Sequence, residues 1–189
     1  MSFGSSGGTM ARFVALLRGV NVGKAKRVAM ADLRVLLESL GYSDVRTLLN
    51  SGNAVFDGPV EPQAKHAQRI QAAVAREFGV DALVIVKTAK DMAAVVAGNK
   101  LAAIATDPSR LLVAITNDSK ALAALESLAK AEWGSDDVHV GKHAAYVWCA
   151  NGILESKAAV ALLKGLARSG TTRNWSTVEK LHALLQRAA

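Results

Sequence analysis

Phe13-Val14-Ala15-Leu16-Leu17 and Leu111-Leu112-Val113-Ala114-Ile115 are the two stretches that decide the fold. Each is an unbroken apolar run, too short for a helix and long enough for a strand buried on both faces. Residue spacing organises the chain beyond the first run. Arg18 to Arg27 reads as a loop with Gly19 and Gly23. Met30, Leu33, Leu36, Leu37 and Leu40 recur at helical spacing, and Gly41 supplies a stop. Val45, Thr47 and Leu49 alternate as a strand, Asn50-Ser51-Gly52-Asn53 turns, and Ala54-Val55-Phe56 returns as the hairpin partner. Ala67, Ile70, Val74 and Phe78 mark a second helix stopped by Gly79. Ala82 to Val86 is a buried strand, and Met92, Val95 and Val96 mark a short third helix.

The second run opens the same order. Leu122, Leu125 and Leu128 line a helix. Val138 and Val140 lie on one strand of a hairpin and Tyr146 to Cys149 on the other. Val160, Leu163 and Leu166 line a helix closed by Gly170. Thr171 to Asn174 reads as a short edge strand. Val178, Leu181, Leu184 and Leu185 line a last helix, with Ser176 and Glu179 at capping-box spacing. The period of about 95 residues is too long for a solenoid and suits two α+β units. The expected fold is therefore two tandem ferredoxin-like βαββαβ units, each an antiparallel sheet with helices packed on one face. The boundaries read as a disordered leader at 1–11, units at 12–98 and 110–189, and a linker at 99–109.

Composition supports a folded chain of 189 residues, with 51% hydrophobic and 21% charged residues. The single cysteine, Cys149, excludes a disulfide framework and a cysteine-rich zinc site. No run is long enough to span a bilayer and no signal peptide is evident, so a cytoplasmic protein without a membrane partner is expected. The formal charge of +7 is uneven. Residues 1–31 and 157–189 each carry a net +5, whereas the stretch between is slightly acidic. Ends brought together would form one positive patch for phosphates; left apart, they are an ordinary solvated surface.

Four motifs carry possible chemistry. Arg18-Gly19-Val20-Asn21-Val22-Gly23-Lys24 joins a strand to a helix, where glycines let backbone approach an anion and Lys24, Lys26 and Arg27 add positive potential. It is not a nucleotide-triphosphate loop: only three residues separate the glycines, and Ala25 follows Lys24. Ser51 and Asn53 belong first to a turn, and their side chains could also orient a ligand. Thr171-Thr172-Arg173-Asn174-Trp175 sets a guanidinium and a ring beside two hydroxyls. That suits phosphate contact with stacking, or a buried Trp175 at a helix entry capped by Asn174 or Ser176. Ser156-Lys157 reads as a helix cap rather than a nucleophile and base. His139 and His143 straddle a hairpin, so no metal site is expected.

Phe13 to Gly23, Asn50 to Asn53, Ser156-Lys157 and Thr171 to Val178, in that order, resemble the bacterial domain-of-unknown-function family 1697, from about Arg12 to Leu185. The resemblance implies tandem ferredoxin-like units and no established activity, substrate or cofactor. Three functions remain open. The leading expectation is a binding protein for a phosphate-bearing ligand, nucleic acid or nucleotide, using Arg18, Asn21, Lys24, Lys26, Ser51, Asn53, Arg173, Asn174 and Trp175. Tyr146 and Trp148 would be an aromatic platform in that case, or core. The second is an enzyme acting on a small anionic or phosphorylated substrate, for which no general base stands in the motifs. The third is a structural protein, such as a homodimer paired through a strand edge. No cofactor is implied.

Overall fold

The structure, a computed structural model, describes residues 9–21 and 27–187. The leader before Thr9 and the loop residues Val22 to Lys26, Lys24 among them, lie outside the described residues.

The first unit runs β1 (Met10–Arg18), α1 (Met30–Ser39), β2 (Ser43–Leu48), β3 (Asn53–Pro59), α2 (Gln63–Phe78), β4 (Leu83–Thr88) and α3 (Ala89–Ala97). The second runs β5 (Leu111–Thr116), α4 (Ser119–Ala123), a 3-10 turn, β6 (Asp137–Val140), β7 (Ala145–Trp148), a second 3-10 turn, α5 (Lys157–Leu166), β8 (Gly170–Asn174) and α6 (Trp175–Leu185). The sheets have the same strand order, β2-β3-β1-β4 and β6-β7-β5-β8, with every neighbouring pair antiparallel. These are two ferredoxin-like α+β units, as the patterning indicates.

The apolar runs are continuous because both faces of each central strand are buried. Phe13, Ala15 and Leu17 pack under α1 and α2, while Val14 and Leu16 face a central layer. Leu112 and Ala114 pack under α4 and α5, while Leu111, Val113 and Ile115 face the same central layer. That layer is filled by Met92 and Val95 of α3 and by Trp175, Val178, Leu181 and Leu185 of α6. The last helix of each unit therefore covers the face that its other two helices leave open. Each large aliphatic side chain removed from water contributes about 1.5–3 kcal/mol, so the shared layer strongly favours apposition of the units.

Local details differ from the patterning. β1 begins at Met10, paired with Pro59, so the strand takes in Met10 and Ala11 from the expected leader. The first helix of the second unit is broken: α4 ends at Ala123 and the chain tightens to 3-10 geometry over Glu126–Lys130. Leu125 there packs against Gly165 of α5, where a Cβ would come within 2.8 Å of its Cδ2. α5 ends at Leu166, with Ala167 at a φ of 42°, and Gly170 opens β8 rather than closing the helix. The cap of α6 is Asn174, whose Oδ1 accepts from Thr177 N at 3.0 Å; the Ser176–Glu179 spacing forms no capping box. The capping box that does form is Thr88 with Asp91, at α3.

Candidate functional site

Arg18 ends β1, and the next residues turn sharply. Asn21 takes a φ of 56°, a left-handed conformation that asparagine tolerates better than most residues. Its side chain then stitches the loop closed. Oδ1 accepts from Val28 N at 2.8 Å, and Nδ2 donates to Val28 O at 2.9 Å and to Asn50 O at 2.7 Å. The strand-to-helix loop is thereby pinned at its base and tied to the β2–β3 hairpin.

That hairpin turns through Leu49, at a φ of 56°, and Gly52, at 76°. Gly52 sits so close to β1 that a Cβ would lie 2.6 Å from Val20 Cγ2 and 2.9 Å from Leu17 Cβ. Asn53 opens β3 fully buried. Its Nδ2 donates to Leu48 O at 2.9 Å and to Ser51 Oγ at 2.8 Å, which leaves Oδ1 pointing across to the second unit.

Arg173 of β8 meets it there, with only 8% of the residue exposed. Nε donates to Asn53 Oδ1 at 2.6 Å. Nη1 donates to Thr171 Oγ1 and to Thr172 O, both at 2.8 Å. Nη2 donates to Leu17 O at 2.8 Å and to Ser51 O at 3.0 Å. Every N–H of the guanidinium has a neutral acceptor. Among the described residues no carboxylate offsets the charge: burial drives the Arg173 pKa down to about 10, which still leaves it a cation at neutral pH. A buried charge is ordinarily paired. This one is held by dipoles, in the seam between the units.

Over it lies an open cleft of about 510 Å³, walled by Leu17 to Asn21, Leu49 to Ser51 and Thr171 to Arg173. Arg18 stands at its edge and donates to Gly170 O at 2.8 Å and to Ala167 O, so the two basic ends of the chain meet here. Of the sequence-derived candidates, Arg18, Asn21, Ser51 and Arg173 line this one cleft, and Asn53 lies beneath it. Asn174 and Trp175 do not line it. Asn174 caps α6, and the Trp175 ring is buried in the central layer. Lys24 and Lys26 lie outside the described residues. The Thr171 hydroxyl of that motif accepts from Arg173, and the residue that patterning passed over is Leu17, whose carbonyl does the same. Nothing in a strand pattern singles out a carbonyl.

Other motifs have internal partners. Ser156 Oγ accepts from Ala159 N at 2.9 Å and donates to Asp136 Oδ2 at 2.7 Å, as a cap of α5. Cys149 is buried, and burial pushes its thiol pKa up. Tyr146 and Trp148 face the central layer. The Tyr146 hydroxyl donates to Val95 O at 2.5 Å, and burial pushes its pKa up to about 12. The second hairpin thus presents neither ring as a stacking platform. His139 stacks on Tyr146, with ring centroids 5.8 Å apart. Among the described residues there is no group of three or more histidine, cysteine or acidic side chains that could hold a metal ion, and no helix is long and apolar enough to cross a membrane.

Fold and cleft define a class: a pair of ferredoxin-like α+β units joined back to back by their last helices, with a polar cleft over the seam. The chain belongs to the family described as protein of unknown function (DUF1697), which matches residues 10–146. Among solved structures it is similar to the conserved bacterial protein SP0830 from Streptococcus pneumoniae. The two share 25% identity, with 94% of this chain and 100% of that chain covered and a TM-score of 0.75. No curated protein matches it.

Proposed function

We propose that the chain binds a small phosphate-bearing ligand, such as a nucleotide, in the cleft between the β1 loop, the β2–β3 hairpin and β8. The observation that carries this reading is the Arg173 guanidinium, buried at the cleft floor with no carboxylate partner among the described residues. Its N–H groups are taken, so it acts through its field, strengthened by low local dielectric. Arg18 at the rim supplies the direct contact, and the Ser51 hydroxyl can donate to a ligand oxygen while it accepts from Asn53. The described lining contains no histidine, carboxylate or cysteine, which favours binding over acid–base catalysis. Covered sheet faces and buried rings favour a nucleotide-sized ligand over a polynucleotide laid on a sheet.

The test compares a fluorescent adenine nucleotide with labelled single-stranded RNA, by anisotropy at low and moderate salt. The reading expects nucleotide binding that weakens with salt and is lost in Arg18→Met. No nucleotide binding to wild type at low salt overturns it. Salt-steep RNA binding alone moves the assignment to a polynucleotide.

A further inference from the structure

A second cleft, of about 270 Å³, shares no residue with the first. Lys87 of β4 reaches it from the first unit, two residues beyond Ile85 and on the same face of the strand. Asp91 of α3 flanks it. The second unit supplies Asp118 and Ser119 at the start of α4, and Lys142 and His143 of the β6–β7 hairpin.

Lys87 is partly buried, and among the described residues no hydrogen bond or ion pair engages its amino group. Both neighbouring carboxylates have other work. Asp91 Oδ2 accepts from Thr88 N at 3.0 Å, Thr88 Oγ1 at 2.7 Å and Gln63 Nε2 at 2.6 Å. Asp118 Oδ1 accepts from Ala121 N at 2.8 Å. Burial lowers the Lys87 pKa and outweighs the opposing pull of Asp91 and Asp118, so more free amine is present than on an exposed lysine. The charges around the cleft balance: Lys87 and Lys142 stand against Asp91 and Asp118. Such a lining offers little to a polyanion and suits a neutral polar molecule.

We propose that Lys87 is a nucleophilic amine presented in this cleft to a small neutral aldehyde or ketone, with which it forms an imine. The Nζ lone pair attacks the carbonyl carbon and gives a carbinolamine. The carbonyl oxygen then leaves as water with both nitrogen protons, and a C=N bond replaces C=O. Nothing is oxidised or reduced, and the reverse step releases the ligand by hydrolysis. The proposal is independent of the phosphate reading.

The test is competitive acetylation of the full chain with trace acetic anhydride, followed by propanal with cyanoborohydride near pH 7, with each of the 12 lysines mapped by mass spectrometry. Lys87 is expected to acetylate faster than exposed Lys65 and Lys130, because burial leaves more of it as free amine, and to be alkylated first. Asp118→Asn keeps a capping side chain but removes a charge that favours the ammonium form, so Lys87 should react faster still. If Lys87 reacts no faster than the exposed lysines in either protein, the proposal fails. Fast acetylation without preferential alkylation also overturns it, because no carbonyl site then exists.

Discussion

Arg173 Nε lies 2.6 Å from Asn53 Oδ1, a hydrogen bond that joins residues 120 positions apart and ties the last strand of the second unit to the hairpin of the first. The same guanidinium holds the Leu17 and Ser51 carbonyls, so one side chain fixes both the seam and the floor of the cleft.

Replacing Arg173 by Met strands several buried acceptors at once. Each unsatisfied one costs about 1–3 kcal/mol, so a total loss of at least about 3 kcal/mol is expected. Arg173→Lys should recover only part of it, because an ammonium cannot reproduce the planar five-donor fork. Urea unfolding of both variants checks this. Wild-type stability in either would mean that the latch contributes nothing.

Gly52→Ala should destabilise by about 2 kcal/mol or more, since the position has a positive φ and the new Cβ meets Val20 and Leu17. Gly79→Ala is a useful control. It shares the left-handed φ, 64°, but has open space around it, so its cost should be smaller. Equal unfolding midpoints for the two would contradict close packing of the hairpin on β1.

Asn174→Ala should cost about 1 kcal/mol, the worth of a helix cap, and leave phosphate affinity unchanged. Calorimetric titration of the variant separates the two roles. A large loss of affinity would put Asn174 back among the ligand contacts.

Stability should fall as pH drops from about 8 to about 5. His66 is fully buried, accepts from the Tyr42 hydroxyl at 2.8 Å and donates to Pro59 O at 3.1 Å. Burial lowers its pKa, against an opposing pull from nearby Glu61. The unfolded chain therefore binds the proton more readily. Stability is complete above the ordinary histidine pKa and declines as pH falls through it. His139 is shifted the same way, by burial and by Lys100. Urea midpoints across this range should flatten in part in His66→Gln, and further when His139→Gln is added. An unchanged slope in the double variant would contradict the assignment.

Much of this was legible in the sequence because it is periodic. The apolar runs, the helical spacings and the glycine after α2 each obey a local rule, and together they yield the order of strands and helices along both units. Parts of three motifs meet in one place: Arg18 to Asn21, Asn50, Ser51 and Thr171 to Arg173 line the cleft and Asn53 lies beneath it, while Ser156 caps a helix and Val22 to Lys26 lie outside the described residues. What stayed hidden depends on contacts between units. The covering of both sheets by α3 and α6 cannot be read from either helix alone, so Tyr146 and Trp148 remained ambiguous between platform and core. The partners of Arg173 are mostly carbonyls, which every residue has. Leu49 carries a positive φ that its side chain disfavours, where composition points to asparagine or glycine.

The most direct test of the central claim is an amide-resolved NMR titration of the wild-type chain with AMP at low salt, repeated on Arg18→Met. The account predicts saturable shifts at Gly19, Asn21, Ser51, Thr171 and Thr172, with little change at Asn174 or on β6 and β7, and loss of those shifts in the variant. Shifts spread evenly over the basic surface, or none at all, would contradict a phosphate site over Arg173.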